Sequence, residues 1–391
     1  MNNYNFDEEF NRIGSNSYKW DGRKRFLGYE NLIPMHVADM DFQCAPEILQ
    51  EIEKRARHPF FGYTIYSGSH FEWMGDWLYK KHNWKVTSNN CLYSPSVVTS
   101  LSIIVFSLTN ENDGVIVQTP IYPPFMEVVR NNNRKLLINE LKLNEQGKYT
   151  FDLDNFEELC KKNSPKILLF CNPHNPVGKV WAKDELLKLA ELCKKYSIIV
   201  ISDEIHSDIV YKPNKHIPFA SLGKDIAQFT LTCLSPAKTF NLPSVSSSVI
   251  IVENNNYKKI LDKALDRFHL FLPSAFSVLS FETAYKYGEK WYNSLMDYLL
   301  INREVVFNWA NRNSNMIQYV SPEGTYLSWI SFRNMNLSDA NLKKFIYENA
   351  NVALDPGIRF GKGGEGFMRL NFACPINQLT RALDNIEKIL I

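Results

Sequence analysis

Short apolar runs alternate with amphipathic segments through the middle of the chain. Three runs, at residues 115–117, 167–170 and 198–201, contain three or four consecutive apolar residues. This is the length of a buried strand, far short of the ~20 residues that a membrane helix needs. Between the last two runs, apolar residues recur at helical spacing over 186–193, behind Asp184 as the expected N-cap. Because strands that alternate with helices form parallel sheets wrapped on both faces, the pattern predicts an α/β fold.

Each of these predicted strands is followed by polar residues. The stretches 119–122, 172–178 and 202–206 come after the three runs. Wrapped parallel sheets bind ligands beyond the carboxyl ends of their strands, so we expect a ligand site at that edge. Residues 94–99 precede a further apolar run and have the layout of a turn before a helix, whose free backbone amides attract phosphate.

The N-terminal part of the chain has a different pattern. Residues 1–44 show little periodicity, but an apolar segment at 34–42 is interrupted by Asp39 and Asp41. Such a segment could line a cleft, and Asp39 is a candidate substrate contact. The alternative, in which these aspartates cap turns, stays open.

The C-terminal part of the chain predicts a smaller α+β unit. From about residue 285 the composition shifts toward helical stretches, together with an apolar segment at 326–332. The expected organisation is an N-terminal segment that joins the small domain, a large ligand-binding domain and the small C-terminal domain, at residues 1–45, 46–284 and 285–391. A final helix is predicted from the spacing of Leu379, Leu383, Ile386 and Leu390.

Composition narrows the possible function classes. The 391 residues are 45% apolar, and 44 Lys and Arg against 42 Asp and Glu give a net charge of +2. Neither nucleic acid nor a membrane surface is indicated as a partner, which leaves a small molecule. The seven cysteines are scattered without zinc-ligand spacing, and the N-terminus lacks the layout of a secretory signal. We therefore expect no metal and a cytoplasmic location.

The stretch with the clearest chemistry is Ser-Pro-Ala-Lys-Thr-Phe at 235–240, directly after the apolar run 229–234. An amine beside the end of a buried strand must be solvated, paired or neutral, because burial disfavours its charge. A neutral Lys238 could form a Schiff base with a carbonyl compound, and Ser235 could bind an anion on the same compound. The pairing suggests pyridoxal 5′-phosphate (PLP); a solvated lysine is the simpler alternative.

Asp203 and Asn175 also follow predicted strands. Asp203 could cap the next helix, or it could keep a pyridine nitrogen protonated, as PLP requires in order to accept electrons. Asn175 could form an Asn-Pro turn, or its amide could donate to the phenolic oxygen of the same ring. These two residues alone leave both alternatives open.

Tyr122, Arg369 and His206 complete the candidate set. Tyr122 precedes two prolines, whose stiff backbone could hold its ring flat on a planar cofactor or in the core. Arg369 is flanked by apolar residues and needs a carboxylate, from the protein or from a substrate. His206 could donate toward the ring, transfer protons or pair with a neighbouring carboxylate.

Taken together, these residues resemble the PLP-dependent enzymes of the aspartate aminotransferase fold (fold type I). More narrowly, the chain is similar to the cystathionine β-lyases, or C–S lyases, of the MalY/PatB type. The resemblance implies a mostly parallel seven-stranded sheet in the large domain and a smaller α+β domain. The Asp-Glu-Ile-His string at 203–206, where many aminotransferases end in tyrosine, and residues 367–375 favour the lyase. The stretches that carry the resemblance are 17–21, 35–42, 61–63, 119–125, 172–178, 203–206, 235–241, 322–326 and 356–375.

The resemblance implies how these residues would hold the cofactor. Lys238 would bear the PLP, Asp203 would pair with the ring nitrogen, and Asn175 would meet the phenolic oxygen. Tyr122 would stack on the ring and is a candidate for proton transfer, while His206 would lie beside the cofactor.

The same resemblance implies a phosphate site, a substrate site and a homodimer. The backbone amides of Val97 and Val98 would hold the phosphate together with Ser235. Tyr63 from the other subunit would assist them, and Arg369 would hold the substrate carboxylate.

The implied reaction is β-elimination from cystathionine or a related S-substituted L-cysteine, which yields a thiol, pyruvate and ammonia. An aminotransferase that uses the same residues and a PLP-binding regulatory protein with residual activity remain as alternatives. The chain departs from the family pattern at His36, where tryptophan is common, at Ala237, where serine is frequent, and at 242–245, where Leu-Pro-Ser-Val replaces Leu-Ala-Gly-Leu. These departures concern the substrate-side wall and one phosphate contact.

Overall fold

A seven-stranded sheet forms the centre of the computed structural model, which describes residues 4–245 and 247–390. The strands of this part of the chain are β1 (Ile33–Pro34), β2 (Cys91–Ser94), β3 (Gly114–Val117), β4 (Lys135–Ile138), β5 (Lys142–Leu143), β6 (Tyr149–Thr150), β7 (Ile167–Cys171), β8 (Ile199–Asp203), β9 (Thr230–Leu234), β10 (Ser248–Val252), β11 (Gln318–Tyr319), β12 (Leu327–Ser331), β13 (Val352–Ala353), β14 (Asp355–Pro356) and β15 (Phe367–Asn371). The order across the central sheet is β2-β10-β9-β8-β7-β3-β4, and β10 is the one strand of these seven that runs in the opposite direction to the others. The predicted mostly parallel seven-stranded sheet is confirmed.

Helices cover the two faces of this sheet. Alternate residues of β3 point to opposite sides, so that Val115 and Val117 join one core cluster and Ile116 another. The α-helices of the described residues are α1 (Pro46–Ala56), α2 (Glu72–His82), α3 (Val97–Leu108), α4 (Pro124–Asn131), α5 (Leu153–Asn163), α6 (Lys183–Lys195), α7 (Lys224–Ala227), α8 (Pro236–Thr239), α9 (Asn255–Arg267), α10 (Ala275–Tyr287), α11 (Glu289–Arg312), α12 (Asp339–Ala350) and α13 (Ile376–Leu390). Short 3₁₀ turns lie at Ser88–Asn90, Phe219–Leu222, Arg333–Met335 and Gly357–Phe360, and a π turn lies at Arg23–Leu27.

One expected helix cap is wrong. Asp184 lies inside the first turn of α6, whereas the N-cap position is Ala182. The side chain of Glu185 reaches back and accepts a hydrogen bond from the Ala182 backbone N–H at 2.9 Å. Glu185, the third residue of the helix, therefore satisfies the backbone N–H of the cap residue itself, as in a capping box.

The strand register brings the polar stretches to one edge of the central sheet. Asp203 ends β8 and lies beside Cys171, the last residue of β7, and beside Cys233 in β9. The chain leaves β9 and turns at once into α8, which carries Lys238. Because neighbouring parallel strands end together, the residues after β7, β8 and β9 share this edge.

A second sheet has the order β11-β12-β15-β14 and carries Arg369 on β15. Every residue of β12 and β15 is buried. The predicted final helix is confirmed as α13, in which Leu379, Leu383 and Ile386 are buried as expected.

The segment 36–41, which we call the strap, connects the two sheets. The N–H of Asp41 donates to the Ala373 carbonyl at 2.9 Å, just after β15. The N–H of Met40 donates to Asn241 Oδ1 at 3.0 Å, just after the turn that carries Lys238. Ahead of the strap, β1 pairs in parallel with β13.

A buried ion pair fixes the end of the strap. Lys19 Nζ lies 2.7 Å from Asp41 Oδ2, and the two side chains are 1% and 4% exposed. Trp20 Nε1 and Gln378 Nε2 also donate to this carboxylate, at 2.8 and 2.9 Å. Although burial opposes the charge, Lys19, Trp20 and Arg12 hold the pKa of Asp41 below its ordinary value. The charge therefore persists inside the protein.

The expected division into domains stays a prediction. The boundary between residues 284 and 285 would fall inside α10, whose end at Tyr287 is separated from α11 by Gly288. In the part of the chain that the structure describes, no helix is long and apolar enough to cross a membrane.

Candidate active site

Lys238 lies in the single turn α8, which Ser235 caps by accepting a hydrogen bond from the Ala237 N–H. Its Nζ donates to the backbone carbonyl of Ala38 in the strap at 2.5 Å. Burial lowers the pKa of Lys238 to about 8; Arg369 acts in the same direction and Asp39 opposes it. A substantial fraction of this amine is thus neutral near pH 8 and can act as a nucleophile or base.

Asp203 is a buried carboxylate with few protein groups that stabilise its negative charge. It is 5% exposed, and among the described hydrogen bonds its side chain accepts one, from the Ile205 N–H at 3.1 Å. Burial raises the pKa of Asp203 to about 7, and the neighbouring Glu204 adds to this rise. A protonated ring nitrogen would supply the cation that this carboxylate needs, so the site fits PLP at this point.

Arg369 donates hydrogen bonds to three acceptors, and its Nε donor is left without one. Its Nη1 donates to Asn175 Oδ1 at 3.0 Å, and its Nη2 donates to the His36 carbonyl at 2.7 Å and to Asp355 Oδ2 at 3.0 Å. The buried Nε has no hydrogen-bond partner within the described residues. An unpaired buried donor on a guanidinium is the feature expected of a group that binds a substrate carboxylate.

The contact with Arg369 also orients Asn175. Because the amide oxygen of Asn175 accepts from Arg369, its NH₂ group points elsewhere and keeps its two donors. The Asn175 carbonyl accepts the Tyr122 N–H at 3.1 Å, which ties the two loops together. This arrangement suits donation to the phenolic oxygen of a pyridoxal ring.

His206 is neutral in this environment. Burial, together with the nearby cations Lys238 and Arg369, lowers the pKa of His206 well below its ordinary value. Its ring lies edge-on against Tyr326, with centroids 5.7 Å apart, and its buried Nδ1 has no partner in the described structure. The pairing with a carboxylate that the sequence left open is thus not what holds this ring.

The phosphate end of the predicted site lies at the start of α3. Ser96 caps this helix by accepting from the Thr99 N–H at 3.2 Å, and the amides of Val97 and Val98 in the first turn have no acceptor inside the helix. The Ser235 hydroxyl donates to the Ser247 carbonyl at 2.7 Å. These groups share the edge of the sheet where β2, β10 and β9 meet.

Tyr63 is not brought into the site of its own chain. It is 95% exposed, in a loop whose other large side chains are also exposed: Phe60, Phe61 and Ile65. The structure therefore gathers the other predicted residues at one edge and leaves Tyr63 on the surface.

The carboxylate of Asp39 is committed to internal cations. It accepts from Arg12 Nη2 at 2.8 Å and lies 3.5 Å from Lys19 Nζ. These ion pairs, rather than a turn cap, account for its place in the strap. A direct substrate contact by Asp39 would have to compete with them.

Sequence reasoning missed the strap carbonyls and Tyr326. Ala38 O accepts from Lys238 and also from the Tyr326 hydroxyl at 2.9 Å. Asn371 Nδ2 donates to both Val37 O and Asp39 O, at 2.7 and 2.6 Å. Backbone acceptors carry no residue signature, and only the Pro322–Tyr326 stretch of the resemblance pointed toward this tyrosine. No group of His, Cys, Asp and Glu suited to a metal ion occurs in the described chain.

Comparison with known proteins agrees with this geometry. Residues 30–386 match the family model of aminotransferase class I and II. Cystathionine β-lyase PatB from Bacillus subtilis is 37% identical over 386 residues, which cover 99% of this chain and 100% of that protein.

Two solved structures share the whole fold. A PLP-bound protein from Clostridium difficile 630, described provisionally as an aminotransferase, is 41% identical with a TM-score of 0.97, and the match covers 100% of both chains. Cystalysin from Treponema denticola, which contains PLP, is 32% identical with a TM-score of 0.95 and covers 99% of this chain and 98% of that one. The resemblance inferred from the sequence is confirmed, and this chain belongs to the aminotransferase class I and II family.

Proposed function

We propose that the protein is a PLP-dependent carbon–sulfur β-lyase that cleaves cystathionine or related S-substituted L-cysteines to a thiol, pyruvate and ammonia. The observation that carries this proposal is the half-buried Lys238 amine, which donates to the Ala38 carbonyl and whose pKa burial lowers to about 8, with Arg369 and Asp203 acting on it as well. The similarity to PatB over the full chain supports the lyase reaction.

The residues that would hold PLP are Lys238 at its aldehyde carbon, Asp203 at its ring nitrogen and Asn175 at its phenolic oxygen. Tyr122 would lie against the ring, and the start of α3 with Ser235 would hold the phosphate. When bound, PLP supplies an electron sink for the charge that develops at the substrate Cα.

The chain's own groups would then bind the substrate and move the proton. Arg369 binds the substrate carboxylate and orients the Cα–H bond toward Lys238. The Nζ of Lys238, freed when the substrate amine takes its place on the cofactor, would remove this proton as a neutral base, and the electron pair of the Cα–H bond would expel the thiolate from Cβ. Water then completes the conversion of the remaining three-carbon unit to pyruvate and ammonia. His206 and Tyr326 are buried nearby and would limit the access of bulk water to the amine.

An aminotransferase remains the second candidate, since one of the similar structures is described provisionally in that way. The two reactions need the same residues and differ in their requirement for a keto-acid acceptor. Pyruvate formed without an acceptor supports the lyase.

The essential amine provides the first test. Replacement Lys238→Ala should remove the yellow colour of the purified protein and lower pyruvate release from cystathionine, without an acceptor, by at least ~10²-fold. The matched control is Lys224→Ala, at an exposed lysine, which should stay within about twofold of wild type. Pyruvate release by Lys238→Ala at the wild-type rate would refute the proposal.

Two arginines contact Asp355, and a comparison of their substitutions tests whether Arg369 also binds the substrate. Arg369 and the half-exposed Arg359 each contact one oxygen of this carboxylate, at 3.0 and 2.6 Å. Arg369→Lys should raise KM about 10- to 100-fold, because a charge-assisted contact to the substrate carboxylate is lost. Arg359→Lys should leave KM nearly unchanged. Equal effects of the two substitutions in steady-state kinetics would contradict the assignment of Arg369.

The raised pKa of Asp203 predicts that this residue destabilises the apoprotein although PLP binding needs it. Its folded-state pKa of about 7 lies above the ordinary ~3.9 of an unfolded chain, so the folded apoprotein loses stability as pH rises from about 4 to 7. Asp203→Asn should remove this cost, up to about 4 kcal/mol above pH 7, while it weakens PLP binding. Denaturant unfolding of the two apoproteins at pH 5 and pH 8 measures this; an equal gain at both pH values, or none at pH 8, would contradict it.

We infer that the chain forms a homodimer in which the exposed loop of Tyr63 reaches the other subunit. Exposed aromatic and aliphatic residues in one loop are typical of an interface. If Tyr63 completes the partner's site, mixing inactive Lys238→Ala with inactive Tyr63→Ala subunits restores one intact site per hybrid, or about a quarter of wild-type activity. Sedimentation at the mass of one chain, or no recovery on mixing, would contradict the shared site.

We also propose a cytoplasmic location. All seven cysteines lie within the described residues, and all are free thiols, six of them buried. Persistent free thiols are typical of a reducing compartment.

A further inference from the structure

One buried hydrogen bond links the chain after Asp203 to the turn that carries Lys238. Thr239 Oγ1 donates to Asp208 Oδ2 at 2.7 Å. Thr239 is the residue after Lys238, and Asp208 lies five residues after Asp203. Thr239 and Asp208 are 1% and 7% exposed, so water does not compete for this contact.

Asp208 is itself fixed from two other elements. Its Oδ1 accepts from Trp77 Nε1 at 2.9 Å and from His82 Nε2 at 3.2 Å, both on α2. Its backbone carbonyl accepts from the Tyr292 hydroxyl of α11 at 2.7 Å. Burial disfavours the charge, but His82, Trp77 and Thr239 together hold the pKa of Asp208 below its ordinary value. The carboxylate is therefore a rigid, ionised anchor.

The turn that carries the lysine needs such an anchor. α8 contains four residues, too few for a helix to hold itself in shape. Its internal support is the cap at Ser235 and the hydrogen bond from the Phe240 N–H to the Pro236 carbonyl. Neither contact ties the turn to the loop that follows β8.

We propose that the Asp208–Thr239 hydrogen bond is a positioning device that holds Lys238 Nζ in register with the strap and with Asp203. Asp208 and Thr239 contact neither substrate nor cofactor in this scheme and act through the placement of the amine. The inference rests on the proposed role of Lys238 and adds two residues to it.

The test compares Thr239→Val, which has nearly the same shape but no hydroxyl, with Thr239→Ser, which keeps the hydroxyl. In the holoenzyme, Thr239→Val should lower kcat for pyruvate release about 10-fold or more, because small displacements of a reacting group are costly. KM should change by less than about twofold, since Arg369 is untouched. Thr239→Ser should stay close to wild type in both constants.

A second readout avoids catalysis. In the apoprotein, the rate at which a small acylating reagent such as acetic anhydride modifies Lys238 follows the neutral fraction of its amine. Peptide mass spectrometry measures this rate across pH. The wild-type midpoint should lie near the pKa of about 8 that burial produces. In Thr239→Val the midpoint should move upward, because a loosened turn lets the ammonium reach water. A merely structural role for Thr239 would lower thermal stability without moving this midpoint.

The outcomes separate this inference from the proposed function. Wild-type protein without pyruvate release would refute the proposed function itself. Active wild type together with a Thr239→Val enzyme unchanged in kcat and midpoint would refute the positioning role alone. If Thr239→Val does not fold, Asp208→Asn replaces it, because the amide preserves the shape of the carboxylate and weakens its contacts. Asp208→Asn should shift kcat and the midpoint in the same directions as Thr239→Val. Wild-type values of both would overturn the inference.

Discussion

The site depends on the placement of two basic groups, the half-buried Lys238 and the buried Arg369, near each other although they come from different parts of the fold. Each cation makes the other less favourable, as the lowering effect of Arg369 on the pKa of Lys238 shows. The strap offsets this cost, because its Ala38 and His36 carbonyls accept hydrogen bonds from the two groups. These carbonyls are available because the strap belongs to no helix or strand, so its backbone acceptors are not used in secondary structure.

The strap can do this only if it is rigid. The buried Lys19–Asp41 pair and the contacts of Asn241 and Asn371 hold it from three sides. Breaking a buried ion pair on one side leaves an uncompensated charge, so both partners are needed. The N-terminal segment is thus part of the site and not an appendage to it. Unlike the carboxylate of Asp41, which is paired with Lys19, the buried carboxylate of Asp203 lowers the stability of the folded apoprotein until a cation binds beside it.

The sequence predicted much of this site because its main residues each follow a strand. Asn175, Asp203 and Lys238 each come within five residues after an apolar run, and parallel pairing was enough to expect them at one edge. Arg369 was recognised as a charge among apolar neighbours. The resemblance to the C–S lyases then supplied their roles, and the comparisons confirmed the family.

Other features depend on contacts that distant segments make only after folding. The Ala38 carbonyl has no signature in the sequence, and the bond between Thr239 and Asp208 joins residues 31 positions apart. Asp39 looked available for substrate, but its partners Arg12 and Lys19 could not be identified from spacing.

The central claim, that Lys238 is the amine which binds PLP, is tested most directly by reducing the yellow protein with borohydride and mapping the modified peptide by mass spectrometry. The account predicts a phosphopyridoxyl group on Lys238; a label on another lysine, or no label on a yellow protein, would contradict it.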